Sequence, residues 1–191
     1  MSRVDADDPT YLVKGTVFRA NAQVLAESGW LAATQAGLPA DVAALLDQLP
    51  LAGTWLPGRM CEQVAEVVST LHGLEAVRHL AREVVRVLFP FYMPMLQGIM
   101  RVLGASPARL FARYEDLARL HIKGMRFEYQ ATSPRSGVVD AHFLVHRQRI
   151  ESAFVTVGCS LEAVYQVCGI SGQVADPEIV SPDHGRYLVS W

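Results

Sequence analysis

Apolar residues return at helical spacing over residues 16–120, whereas strand-like alternation begins near residue 125 and stands on either side of one further helix. The chain therefore reads as helices first and mixed structure afterwards. Phe18, Ala22 and Leu25 share a face of a helix predicted over 17–28, with Gly29 as its stop. Val42, Leu45, Leu46 and Leu49 mark a second over 41–49. A turn-rich loop over 50–59 follows, in which Trp55 anchors the segment to the core. Val64, Val67, Val68 and Leu71 predict a helix over 61–71, and Val77, Leu80, Val84, Val87 and Leu88 another over 74–88, with Gly73 between them. Pro90 and Pro94 then break the chain at an apolar corner, beyond which a short helix covers 95–103. Ser106-Pro107 opens the next helix, which ends at His121.

In the second part Met125, Phe127 and Tyr129 alternate with Arg126, Glu128 and Gln130, the pattern of an antiparallel strand with one wet face. Ser133-Pro134-Arg135-Ser136-Gly137 makes a hairpin turn into a partner strand over 138–145, with Val139, Ala141, Phe143 and Val145 on one side. Ile150, Phe154, Val157, Leu161, Val164 and Cys168 draw one long helical stripe over 149–168, and two last strands cover 173–180 and 185–191. The fold class is α+β: a helical N-terminal portion packed on a small antiparallel sheet of about four strands, crossed by one long helix.

Composition narrows the class. The 191 residues are 51% hydrophobic and 19% charged, enough apolar material for one sizeable core and too little chain for two comfortable domains. The expected organisation is a flexible leader over 1–12 and a single domain over 13–191. A net charge of −2 gives no general attraction for nucleic acid. The stretch 84–103 is long and apolar, but Arg86, Gln97, Arg101 and its two prolines argue against a bilayer span. Cys61, Cys159 and Cys168 lack metal or disulfide spacing, and the acidic start lacks the shape of a signal peptide, so a cytoplasmic location is expected.

No motif specifies a reaction, and the reading is of a non-enzymatic module. Phe89, Phe91, Tyr92, Met93, Met95 and Met100 concentrate aromatic and thioether groups around the two prolines. Phe89, Phe91, Tyr92, Met95 and Met100 are the candidate lining of an apolar ligand pocket, because methionine tolerates changing contents. His121, at a helix end, is the candidate axial ligand of a haem. No metal site is expected from the six histidines, of which His142 and His146 are four apart without a cysteine or carboxylate cluster beside them in sequence. Arg147, Arg149, Arg135 and Lys123 read as a solvated basic surface, the alternative being an anion site.

Several local sequences resemble the haem-nitric-oxide/oxygen binding (H-NOX) family and its 4-vinyl-reductase-like relatives. They are Lys14-Gly15-Thr16-Val17-Phe18, Leu120-His121, Gly124-Met125-Arg126 and Arg186-Tyr187-Leu188-Val189-Ser190-Trp191. The resemblance spans most of residues 13–191. It implies a ligand-binding domain in which a histidine on the helix before the sheet, here His121, holds haem. Only Ile122 and Lys123 separate that histidine from Gly124, fewer residues than the family keeps. Its Tyr-x-Ser-x-Arg haem-propionate motif is absent, Tyr129 to Arg135 having the three residue types at wider spacing. Residues 181–184 lack the cysteines of the relatives' metal site. Trp55-Leu56-Pro57 and the helices after it are also similar to an uncharacterised myxobacterial family of this size. The expected function is a stand-alone sensory or regulatory module taking an apolar or haem-like molecule, with a protein partner or a homodimer. The alternative is a ligand-free interaction scaffold whose apolar excess builds an interface.

Overall fold

A computed structural model describes residues 11–103, 106–145 and 149–191, with backbone alone over 91–103. The chain enters through β1 (Leu12–Lys14) and α1 (Gly15–Glu27). Then come α2 (Leu31–Gly37), α3 (Ala40–Asp47), β2 (Trp55–Pro57), α4 (Arg59–His72) and α5 (Leu74–Leu103). Two short helices, α6 (Pro107–Phe111) and α7 (Tyr114–Ala118), lead to β3 (Ile122–Lys123). The hairpin β4 (Met125–Ser133) and β5 (Ser136–Phe143) precedes α8 (Glu151–Leu161) and α9 (Ala163–Cys168). The strands β6 (Gln173–Val174), β7 (Glu178–Ser181) and β8 (His184–Ser190) close the chain.

The α+β class holds, with a larger sheet content than expected. Five antiparallel strands run β4-β5-β8-β6 with β7 also on β8, and a separate three-stranded sheet runs β2-β1-β3. That small sheet begins one residue into the expected leader: Leu12 pairs with Pro57 and Lys123, and Tyr11 is buried. The predicted face of β5 holds for Val139, Ala141 and Phe143, all at 3% exposure or less, whereas β5 ends at Phe143 and Val145 lies beyond it.

Three sequence expectations are corrected. Pro90 and Pro94 do not form a corner; α5 runs through both. Pro90 lies on the exposed side, so the Arg86 carbonyl that loses its N–H partner faces water and its cost is small enough for the helix to continue. The long crossing helix is interrupted at Glu162, between α8 and α9, although that residue keeps helical dihedrals of φ −60° and ψ −24°. Nor does a helix reach His121: α7 ends at Ala118 and His121 occupies the turn before β3, its carbonyl accepting the Lys14 N–H at 2.8 Å.

Two hydrophobic cores result. One joins α1, α3, α4 and α5 around Phe18, Leu25, Val64, Val68 and Val77. The other lies over the inner face of the large sheet around Phe154, Leu161, Tyr187, Val139 and Leu110. α8 serves both, giving Val155 and Cys159 to the first and Phe154, Val157 and Leu161 to the second. Gly185 of β8 sets how closely α8 approaches the sheet, since a Cβ there would stand 2.7 Å from the Phe154 ring. Among the described residues no helix is long and apolar enough to cross a membrane.

Candidate functional site

The seam between the two cores is not filled. A cavity of about 250 Å³ opens there, and its walls come from both sides of the seam. α5 supplies a strip at helical spacing, Val77, Leu80, Ala81, Val84, Val85 and Leu88, continuing to Phe89. α8 faces it with Ala153, Thr156, Val157 and Ser160, again one face of a helix. Val13, Val17, Asn21, Cys61, Glu62 and Ala65 close the end toward β1, α1 and α4, and Tyr114, Leu117, Ala118, Leu120 and His121 close the side toward α7. Alanines at 65, 81 and 153 stand where larger side chains would occupy the space.

The few polar groups on these walls have defined states. Tyr114 donates its hydroxyl proton to Ser160 Oγ at 2.8 Å, and Ser160 donates in turn to the Val157 carbonyl at 2.7 Å. Burial pushes the Tyr114 phenol up to about 12, so it keeps its proton. Burial likewise pushes the Cys61 thiol up to about 12, which leaves it inert as a nucleophile at neutral pH. Thr156 Oγ1 donates back to the Ser152 carbonyl at 2.9 Å, and Asn21 Nδ2 donates to the Val17 carbonyl at 2.9 Å.

His121 is half-buried on the wall. Desolvation, and to a smaller extent the charge of Lys14, lowers its pKa to about 4, so the imidazole is neutral at pH 7. Glu62 is held by Arg149, whose Nε lies 3.2 Å from Glu62 Oε1 and whose Nη1 donates to the Val145 carbonyl at 2.9 Å. Arg149 is therefore not part of a solvated basic surface. Its side chain is fully buried and lies over the rings of Phe143 and Tyr11. Arg135 is exposed at the β4–β5 turn, Lys123 lies over the Trp55 ring, and Arg147 is outside the described residues.

Of the sequence-predicted pocket residues, Phe89 lines the cavity. The side chains of Phe91, Tyr92, Met95 and Met100 are outside the described residues. His121 lines the cavity too, although from a turn instead of a helix. Tyr114, Ser160, Glu62 and Asn21 escape sequence reasoning because no motif links them. The alanines interrupting the apolar stripes of α4, α5 and α8 are the available signal for a void. Tyr129 stacks on Phe111 at 5.7 Å, and neither it nor Arg135 lines the cavity, so the two ends of the imperfect propionate motif do not meet there. His142 and His184 stack at 4.0 Å on the large sheet, yet no group of three or more metal-ligating side chains occurs among the described residues.

No protein-family model matches the chain, and no curated protein matches it. Solved structures do. The H-NOX protein from K. algicida, in an Fe(II) unliganded crystal structure, has a TM-score of 0.68 at 10% identity, covering 93% of this chain and 95% of that one. A mutant of the same protein gives 0.69 at 9% identity with the same coverage. A structure described as probing haem distortion in the H-NOX family gives 0.63 at 11% identity, covering 93% and 94%. The fold, a divergent form of the H-NOX architecture, is what these proteins have in common with the chain.

Proposed function

We propose that this H-NOX-like domain is a sensory or regulatory module whose cavity takes a small apolar molecule. The observation that carries this reading is the position of the cavity. It lies between two separately packed cores, so an occupant touches both and its binding favours one spacing of helices against sheet over another. A change in that spacing is available at the surface to a protein partner. The aliphatic walls contributed by α5 and α8 supply the affinity at roughly 25 cal/mol per Å² of apolar surface covered.

Haem, which the fold implies, does not fit the residues present. The His121 imidazole is neutral and so has the right protonation state for a metal ligand. Two other features oppose it. No lysine or arginine is among the described lining residues, so two haem carboxylates would enter without partners, at a large desolvation cost. The space of about 250 Å³ is also below the roughly 300–1,000 Å³ of pockets that enclose drug-sized ligands, and the porphyrin macrocycle is larger than most of those.

Calorimetric titration with naphthalene, a neutral apolar probe of a size that the cavity admits, tests the reading. Saturable binding at one probe per chain is expected, together with its loss in Ala81→Phe, which fills the α5 wall while circular dichroism stays unchanged. Absence of saturable binding, or equal binding by the filled variant, contradicts it.

A further inference from the structure

The direction of the protons on the cavity wall restricts what can bind. The Val157 carbonyl can only accept, so the single proton of Ser160 is committed to it, and Tyr114 must therefore be the donor in its bond to Ser160. Thr156 has spent its proton on the Ser152 carbonyl in the same way. Three of the four hydroxyls on the described lining, those of Tyr114, Ser160 and Thr156, thus retain lone pairs and have no proton to offer; the fourth belongs to Tyr11. Glu62 adds a carboxylate to the same wall, while its partner Arg149 is not among the described lining residues, so no arginine or lysine of that lining meets an entering anion. Asn21 keeps one amide N–H and neutral His121 has one ring N–H, neither of them charged. The wall is therefore rich in acceptors and electrostatically unfavourable to anions.

We infer that the cavity selects a neutral apolar molecule whose head group donates a hydrogen bond, an alcohol or a phenol, and rejects carboxylates. The inference rests on the proposed ligand site above and adds its chemical class. A volume near 250 Å³, at about 30 Å³ for each water-sized group, holds on the order of eight to ten non-hydrogen atoms. The Tyr114–Ser160 pair is the docking point for the head, because Tyr114 and Ser160 reach the cavity from α7 and α8 and can accept one donor jointly.

The test displaces naphthalene at pH 7 with three ligands of equal chain length: octan-1-ol, a neutral donor; octan-2-one, a neutral acceptor; and octanoate, an anion. The expected order is octanol ahead of octanone by at least about fivefold, with octanoate weakest. In Tyr114→Phe/Ser160→Ala the gap between alcohol and ketone closes while ketone affinity holds. Octanone or octanoate equalling octanol in the wild-type protein overturns the inference and leaves the apolar ligand site standing. A wild-type protein that binds neither probe nor any of the three overturns the ligand site itself, and the inference with it. The wild-type ranking decides the matter even if the double variant fails to fold.

Discussion

The guanidinium carbon of Arg149 lies 3.8 Å from the centre of the Phe143 ring while its Nε holds Glu62 at 3.2 Å, so one buried cation joins the start of α8 to β5 and α4. Removing one partner leaves the other charge in a low-dielectric interior. Arg149→Met is expected to cost about 3–5 kcal/mol, and Arg149→Met/Glu62→Leu considerably less, because the second change removes the stranded carboxylate. Urea unfolding of the three proteins checks this. A double variant no more stable than the single one contradicts it.

The Arg82–Glu162 pair gives the opposite expectation. Its geometry is bidentate, at 2.7 and 2.8 Å, but the Arg82 side chain is half exposed. Water and salt screen it, and Arg82→Ala is expected to cost less than about 1 kcal/mol by the same measurement.

At Gly185 the Phe154 ring occupies the space a side chain would need. Gly185→Ala forces α8 away from β8 and is expected to destabilise by about 1–3 kcal/mol. Gly53, where an added methyl would meet nothing within 4 Å, is the control. Chemical denaturation of Gly53→Ala is expected to show no comparable loss.

Acidification acts through His121. Its pKa is about 4 in the folded protein and the ordinary value is 6.5, so between these pH values the unfolded chain binds a proton that the folded chain does not. The His121 contribution to stability therefore falls as pH drops from about 6.5 toward 4 and levels off below. His142, lowered by burial and then by the neighbouring His184, adds a loss of the same sign. Denaturation midpoints followed from pH 7 to pH 4 are expected to decline less steeply in His121→Asn than in the wild-type protein. Parallel curves contradict the assignment.

Long, regular elements are legible in the sequence and the short ones are hidden. α4 and the first half of α5 show apolar stripes that no other period explains, and Pro134-Arg135 marks the β4–β5 turn. α2 escapes because Leu31-Ala32-Ala33-Thr34-Gln35-Ala36-Gly37 has no stripe, and β1, β2 and β3 are too short for alternation to register. The break at Glu162 is invisible because the apolar stripe continues across it from Leu161 to Val164. Pro90 misleads in the other direction, since periodicity does not report which side of a helix a proline will expose. For the site, Phe89 and His121 are legible as an aromatic and an imidazole near apolar sequence. The Tyr114–Ser160 bond joins residues 46 apart, and its proton direction depends on a carbonyl one turn back in α8, which only the fold reveals.

Native mass spectrometry with an absorbance spectrum, on protein purified from its own cells, tests the central claim most directly. One small adduct per chain is expected, with a mass other than that of haem, no Soret band, and loss of the adduct in Ala81→Phe. A haem mass with a Soret band that disappears in His121→Ala would contradict the account, as would a bare chain in every preparation.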